Sequence, residues 1–229
     1  MIAFPGTIWT IVWANDSRWI VQAGQVLRYC ATVMKPERMI LFTHNAVALK
    51  AYPFDVIRIP ELNWQSYNIF LNRVIPMYIQ SEFAMSVHYD GFPIDESLWR
   101  SEFLDWDYIG ATWNDGVVGN GGFCIESRKL LELKPAMPMD RSDFETPSDR
   151  LVCGVRRAWL EERGVRFAPP DLALQFSTEQ VGGENPSFGF HGRAVSAEKF
   201  RKGWGRIRAA TAVPDRFTQI RNRVVPAAR

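Results

Sequence analysis

His88 and Asp90, separated by one residue and followed by Gly91, are the first side chains in this chain whose types and spacing can do chemistry. In an extended segment residues i and i+2 project to the same face, so an imidazole and a carboxylate converge just past the apolar run Phe83-Ala84-Met85-Ser86-Val87. Hard divalent cations such as Mg2+ and Mn2+ take oxygen ligands, retain several waters and bridge diphosphate oxygens, so few protein carboxylates suffice to hold them. His191 stands far along the chain in Ser187-Phe188-Gly189-Phe190-His191-Gly192, where flanking glycines let the segment fold back over the same place. Asp90 and His191 are therefore the expected metal pair. Plainer readings compete: Asp90-Gly91 as an ordinary turn after a strand, and His191 as a hydrogen-bonded structural histidine.

The second group is Gly119-Asn120-Gly121-Gly122-Phe123. Glycines this dense are placed where φ must be positive or where a ligand approaches the backbone closely. They separate two apolar segments that read as strands, Tyr108 to Trp113 and Phe123 to Ile125, which puts the loop at strand ends where open α/β sheets bind ligands. A tight hairpin built on Asn-Gly and Gly-Gly is the competing explanation. The third group is a carboxylate, Asp149, in Thr146-Pro147-Ser148-Asp149-Arg150. At the start of a helix over residues 150–161 it would point from the helix N-terminus toward the cleft as a general base, or else simply cap the helix. Asp143 and Glu145 lie close enough in sequence to take over that role. Arg128 and Arg150 are available as phosphate clamps in place of a metal.

These residues need a scaffold, and the chain alternates strand and helix patterns. Residues 7–13 are a β-rich run, followed by a helix from Ser17 through Cys30 and Val33; Met39 to Thr43 and Asp55 to Ile59 give two further short strands. Ser66 reads as the N-cap of a helix that carries Tyr67, Phe70, Leu71, Val74, Ile75 and Tyr78 toward the core, before the strand ending at His88. The pattern is that of the nucleotide-binding half of a doubly wound sheet. At 229 residues, with 47% hydrophobic and 23% charged residues, the chain accommodates one such α/β domain. Residues 1–192 are read as the domain and 193–229 as a basic, partly helical C-terminal extension.

Taken in order, Asp90-Gly91-Phe92, Asp107 to Trp113, Gly119 to Phe123 with Ser127-Arg128, and Phe188-Gly189-Phe190-His191-Gly192 resemble a little-characterised family of GT-A-like nucleotide-sugar glycosyltransferases, over residues 7–192. The Asp-x-Asp of the wider GT-A pattern is here His88-x-Asp90, with only the second carboxylate present. The resemblance implies a single GT-A-like α/β domain, with a mixed, mostly parallel sheet flanked by helices. It also implies transfer of a sugar from a nucleoside diphosphate such as UDP to a hydroxyl acceptor, with Mn2+ or Mg2+ held at Asp90 and His191. Asp149 matches the carboxylate that opens the helix after the glycine loop, and a carboxylate base favours inversion. On the donor side the fold class points to Asn15 and Asp16 after the first strand, Thr43 and His44 after the second, Arg73, Asp90, Gly121 and Gly122. Trp113 and Phe123, flanking the loop, are candidates to stack on a sugar or acceptor ring, with Asn120 beside them. The strand-end aromatics have core packing as their other reading.

Composition narrows the setting. Cys30, Cys124 and Cys153 are odd in number, widely spaced and each in an apolar segment, which suits buried thiols in a reducing cytoplasm. No apolar run reaches a membrane span, and no basic leader precedes the first hydrophobic residues. Residues 193–229 hold ten Arg/Lys against two Asp/Glu, a net +8 that leaves −6 for the rest of the +2 total. Phe217, Ile220 and Val224 form an apolar stripe beside arginines there, suited to the anionic inner face of a membrane, to packing on the domain or to a second subunit in a homodimer. The acceptor expected is a glycan, polysaccharide or glycolipid. The alternatives are a nucleic-acid-modifying glycosyltransferase and a non-catalytic sugar- or nucleic-acid-binding module. Nucleotidyl transfer would need a Gly-rich, Lys/Arg-bearing loop after the first strand, which Trp13-Ala14-Asn15-Asp16-Ser17-Arg18 lacks.

Overall fold

The opening run of the chain is apolar on both faces, as a strand in the middle of a parallel sheet with both sides covered requires. In the computed structural model, which describes residues 1–13, 17–45, 54–192 and 197–211, this run is β1 (Ile2–Val12). It pairs in parallel with β2 (Met34–Thr43) on one side and β4 (Phe83–Ser86) on the other, and β3 (Asp55–Arg58) adds in parallel beyond β2. The chain then reverses: β7 (Cys124–Ser127) runs antiparallel to β4, and β6 (Tyr108–Ile109) antiparallel to β7. The result is a mixed, mostly parallel α/β sheet of order β3-β2-β1-β4-β7-β6, flanked by helices. Trp113, expected to end a strand, lies beyond β6 in a turn region.

Period-two alternation sorts side chains between two cores. Ile8, Leu41 and Met85 share one buried cluster with Ala23, Val26 and Leu27 of α1 (Ser17–Val33). Trp9, Ile11, Ile40 and Phe42 share the other with Phe70 of α2 (Trp64–Arg73) and Ile75 of α3 (Ile75–Tyr78). The helix expected to start at Ser66 starts earlier: Asn63 is the N-cap, its side chain accepts from the Ser66 amide, and Ser66 Oγ accepts from the Asn63 amide. Ser66 is thus the third-position partner in a reciprocal capping box. Pro76 has no amide to continue the ladder, and the single expected helix breaks at Val74 into α2 and α3.

A small second sheet closes over the carboxyl end of β4. Its strands are β5 (Gly91–Pro93), β9 (Gly189–His191) and β8 (Ser177–Thr178), in the order β5-β9-β8. The segment around His191, expected as a loop, is therefore a strand, with His191 opposite Gly91. Between β7 and β8 in the chain come α4 (Arg128–Leu133), the short α5 (Ser148–Arg150), a π turn at Leu151–Val155, α6 (Arg157–Glu161) and α7 (Pro170–Phe176).

The basic C-terminal segment begins as part of this body. Helix α8 (Ala197–Thr211) packs on α1, and its Gly203 sits so close to Phe92 that a Cβ there would lie 2.6 Å from the ring. Trp204 donates its indole N–H to the Tyr89 carbonyl at 3.0 Å, and Arg206 donates to the Ile94 carbonyl. The stripe containing Phe217, Ile220 and Val224 lies outside the described residues. Among the described residues no helix is long and apolar enough to cross a membrane, and all three cysteines are buried and free. Asn63→Ala, which removes the side-chain acceptor of the α2 capping box, is expected to cost about 1 kcal/mol in urea denaturation; an unchanged midpoint would show that the box does not hold the helix start.

Candidate functional site

A four-residue turn at the end of β4 makes the first half of the site. The His88 amide donates to the Gly91 carbonyl at 2.7 Å and the Gly91 amide donates back to His88 at 3.1 Å, which holds His88 and Asp90 at the sheet's carboxyl edge. β9 brings His191 against them, and the Gly192 amide donates to the Asp90 carbonyl at 2.9 Å. Ligand atoms of His88, Asp90 and His191 all fall within 4.8 Å of one another, and His191 Nε2 is 3.7 Å from Asp90 Oδ1. The opposite nitrogen, Nδ1, lies 3.0 Å from Glu179 Oε1. If Nδ1 carries the proton it donates to Glu179 and leaves the Nε2 lone pair facing Asp90, the arrangement by which a carboxylate on the far nitrogen orients a metal-binding histidine.

The electrostatics suit a cation. Burial, with His191 adjacent, holds the His88 imidazole down to about 4, so at neutral pH it has no proton to displace. Burial alone would lower His191 as well, but the Glu179 hydrogen bond and the Asp90 and Asp149 charges override it and raise its pKa. Two imidazoles and one carboxylate fit a divalent metal and favour Mn2+ or another transition ion over Mg2+, which prefers oxygen alone.

The glycine loop supplies the wall. None of Gly119, Gly121 and Gly122 has a positive φ; the one left-handed residue of the loop is Asn120, at φ 69°. The glycines are needed for close approach, and what approaches is the protein itself. A Cβ on Gly122 would lie 2.0 Å from His191 Nε2, one on Gly119 would lie 2.1 Å from the Trp113 ring, and one on Gly121 would stand 3.3 Å from Asp149 Cβ. Asp149 grips the loop directly: its Oδ2 accepts from the Gly121 amide at 3.0 Å and its Oδ1 from the Arg150 amide at 2.8 Å. Gly121, Gly122, His88, His191 and Asp149 all line one cavity of about 220 Å3. The Leu151–Val155 π turn that follows Asp149 is a local irregularity of the kind common at functional sites. A second, aromatic cavity of about 190 Å3 adjoins the first at His88 and Tyr67, with Trp13 stacked on Tyr67 at 5.2 Å and Trp19 against Tyr89 at 4.2 Å.

Other expected residues are used elsewhere. Trp113 is 3% exposed, covered by the Arg150 guanidinium 3.6 Å above its ring, so it presents no face to a sugar. Phe123 is fully buried and stacks on Phe176 at 4.8 Å as part of the core. Asn120, also buried, turns its side-chain oxygen back to the Gly122 amide and shapes the loop instead of meeting an acceptor. Arg73 donates to the carbonyls of Lys134, Pro135 and Met137, and Arg128 to the Ile79 carbonyl and the Glu132 carboxylate, so neither guanidinium clamps phosphate in the cavity. Asp143 is buried against Arg156 and caps the Asp140 amide, while Glu145 accepts from Gln65. Thr43 is buried with Oγ1 accepting from the Asn45 amide, and His44 borders a separate depression with Arg58 and Glu61, away from both cavities. Asn15 and Asp16 lie outside the described residues. The sequence reading missed Glu179, Trp64, Tyr67 and the buried Glu126–Lys134 pair, none of which belongs to a local motif.

Two outcomes test this geometry. If the His88, Asp90 and His191 cluster takes Mn2+, Gly122→Ala is expected to displace His191 and weaken that binding by about 10- to 100-fold, whereas Gly154→Ala, whose Cβ meets nothing within 4 Å, leaves it unchanged. Equal Mn2+ affinity in the two variants would reject the close approach as the reason for Gly122. Because Nε2 must be free to bind metal and the His191 pKa is raised above the usual value of about 6.5, affinity falls about tenfold per unit as pH drops below the folded pKa of His191. A flat Mn2+ titration series between about pH 5.5 and pH 8.5 would remove His191 from the ligand set.

No curated protein matches the sequence. A crystal structure of a glycosyltransferase involved in the glycosylation of the major capsid of PBCV-1 superimposes at TM-score 0.52 and 10% identity, over 93% of this chain and 100% of that one. The likeness establishes a shared GT-A-like, glycosyltransferase-like fold. The bifunctional IspDF from Campylobacter jejuni aligns more loosely, at TM-score 0.45 and 12% identity over 73% of this chain and 49% of its own. Residues 65–191, more than half of the chain and the part that runs from α2 to His191, match a family profile, and the chain belongs to that family, described as "Protein of unknown function (DUF5672)".

Proposed function

We propose that this protein is a metal-dependent, inverting glycosyltransferase that moves a sugar from a nucleoside diphosphate sugar to a hydroxyl of a glycan or glycolipid. The observation that carries the reading is Asp149, a carboxylate oriented through both oxygens by backbone amides and lining the same cavity as His88 and His191. The GT-A-like fold and the aromatic cavity beside His88, where Trp13, Trp19, Tyr67 and Tyr89 offer ring surface to a nucleobase, support it further.

His88, Asp90 and His191 would hold a divalent ion, which would supply positive charge beside the diphosphate leaving group. Asp149 accepts the acceptor hydroxyl's proton as that oxygen forms its bond to the anomeric carbon. The bond from that carbon to the diphosphate breaks as the new one forms, and its electron pair leaves on the diphosphate oxygen. Attack from the face opposite the leaving group inverts the anomeric centre. Glu179 fixes the His191 ring throughout, and the Gly121 amide keeps the Asp149 carboxylate aimed into the cavity.

Asp149→Asn is expected to lower kcat by about 10^2- to 10^4-fold with donor affinity unchanged, since it removes proton transfer and almost no volume. Asp90→Asn is expected to abolish transfer together with Mn2+ binding. The assay is nucleoside diphosphate release from a panel of nucleotide sugars with Mn2+, read beside circular dichroism. Wild-type turnover in either folded variant would overturn that residue's role, and donor binding without any turnover in the wild type would favour a binding module.

A further inference from the structure

The cavity that holds Asp149 continues past it, between the sheet and α2, to a floor that the mechanism above does not use. There Lys134 donates to both oxygens of Glu126, at 2.8 and 3.1 Å, with side-chain exposures of 4% and 7%. Both residues line the cavity. Among the described residues neither side chain has another hydrogen-bond partner, although an ammonium has a third N–H and a carboxylate further lone pairs. Trp9, on the cavity wall from β1, has a buried indole N–H without an acceptor among the described residues.

Stability does not explain this arrangement. Burying two charges is costly even when they pair, and apolar side chains of similar volume in their place are often at least as stable. The surroundings would accept such a replacement, because Leu71 and Val152 line the same cavity and Leu131 belongs to the adjoining apolar cluster. Buried donors with spare capacity are a ligand's opportunity. The charge balance says which ligand: a phosphate would satisfy Lys134 but confront Glu126, whereas each hydroxyl of a polyol both donates and accepts and so serves both. The volume, about 220 Å3, is below the roughly 300 Å3 at which pockets for drug-sized molecules begin, a size suited to one ring.

We infer that Glu126, Lys134 and Trp9 form the hydroxyl-reading floor of a subsite for a single neutral sugar ring. The inference rests on the transferase reading for which reaction the ring enters, and the ring belongs either to the nucleotide sugar or to the acceptor.

The test is calorimetric titration of the full chain with Mn2+, comparing UDP with UDP-glucose and GDP with GDP-mannose, and adding free glucose or mannose to the diphosphate-loaded protein. A donor ring raises affinity over the bare diphosphate by about 10- to 100-fold; an acceptor ring appears as hexose binding to the loaded protein. The double variant Glu126→Leu/Lys134→Met is expected to erase whichever increment is seen while the bare diphosphate binds as before. Trp9→Phe, which keeps the ring and loses the N–H, reduces it about fivefold and decides the matter if the double variant does not fold. No increment in the wild type, or one that survives these substitutions, overturns the subsite and leaves the transferase reading standing. Failure of every diphosphate to bind overturns both.

Discussion

His191 Nε2 stands 2.0 Å from where a side chain on Gly122 would begin, and most of the site depends on that closeness. The glycine loop and the small β5-β9-β8 sheet come from distant parts of the sequence, and they can meet only because one of them has no side chain at the contact. Gly91 makes the same allowance, with His191 Cδ2 at 2.7 Å and the Gly122 carbonyl oxygen at 2.9 Å from its missing Cβ. The imidazole is thus set against two side-chain-free stretches of backbone and aimed by Glu179 at its Nδ1. A ring so enclosed loses little freedom on binding a ligand, which is the physical content of preorganisation.

The rest of the architecture transmits this constraint. The reversal of direction at β7 sends the glycine loop back to the carboxyl edge of β4, where the His88-to-Gly91 turn already lies. Helix α8, outside the residues that match the family, clasps that turn through Trp204 and the adjoining strand through Gly203 and Arg206. The domain boundary expected at residue 192 therefore cuts between the site and one of its supports. The Asp149 carboxylate closes the circuit by binding the Gly121 amide, so that Asp149 and His191 are both set against the same short loop.

The sheet face beneath the site differs from the opposite one in a way that bears on function. Toward α1 the core is apolar, with Phe123, Phe176 and Phe188 packed ring on ring. Toward α2 it encloses a cavity and a buried ion pair. A protein that needed only stability would fill that space, because packed side chains gain dispersion contacts that a void forfeits.

What the sequence determined by itself were features written locally. Short β-rich apolar runs identified the strands, because a strand covered on both faces is apolar along its whole length. The spacing of His88 and Asp90 put an imidazole and a carboxylate on one face, and the position of Asp149 put a carboxylate at a helix start. Tertiary structure decided the rest. An aromatic ring has the same composition whether it faces a core or a sugar, so Trp113 and Phe123 were legible as aromatic and not as buried. A glycine is equally glycine for positive φ and for close approach, and only the arrival of His191 distinguishes them. Arg73 is a phosphate clamp or a cap on carbonyls according to what folds beneath it. Glu179, Glu126 and Lys134 carry no local pattern, since contacts across the fold have no counterpart in neighbouring residues.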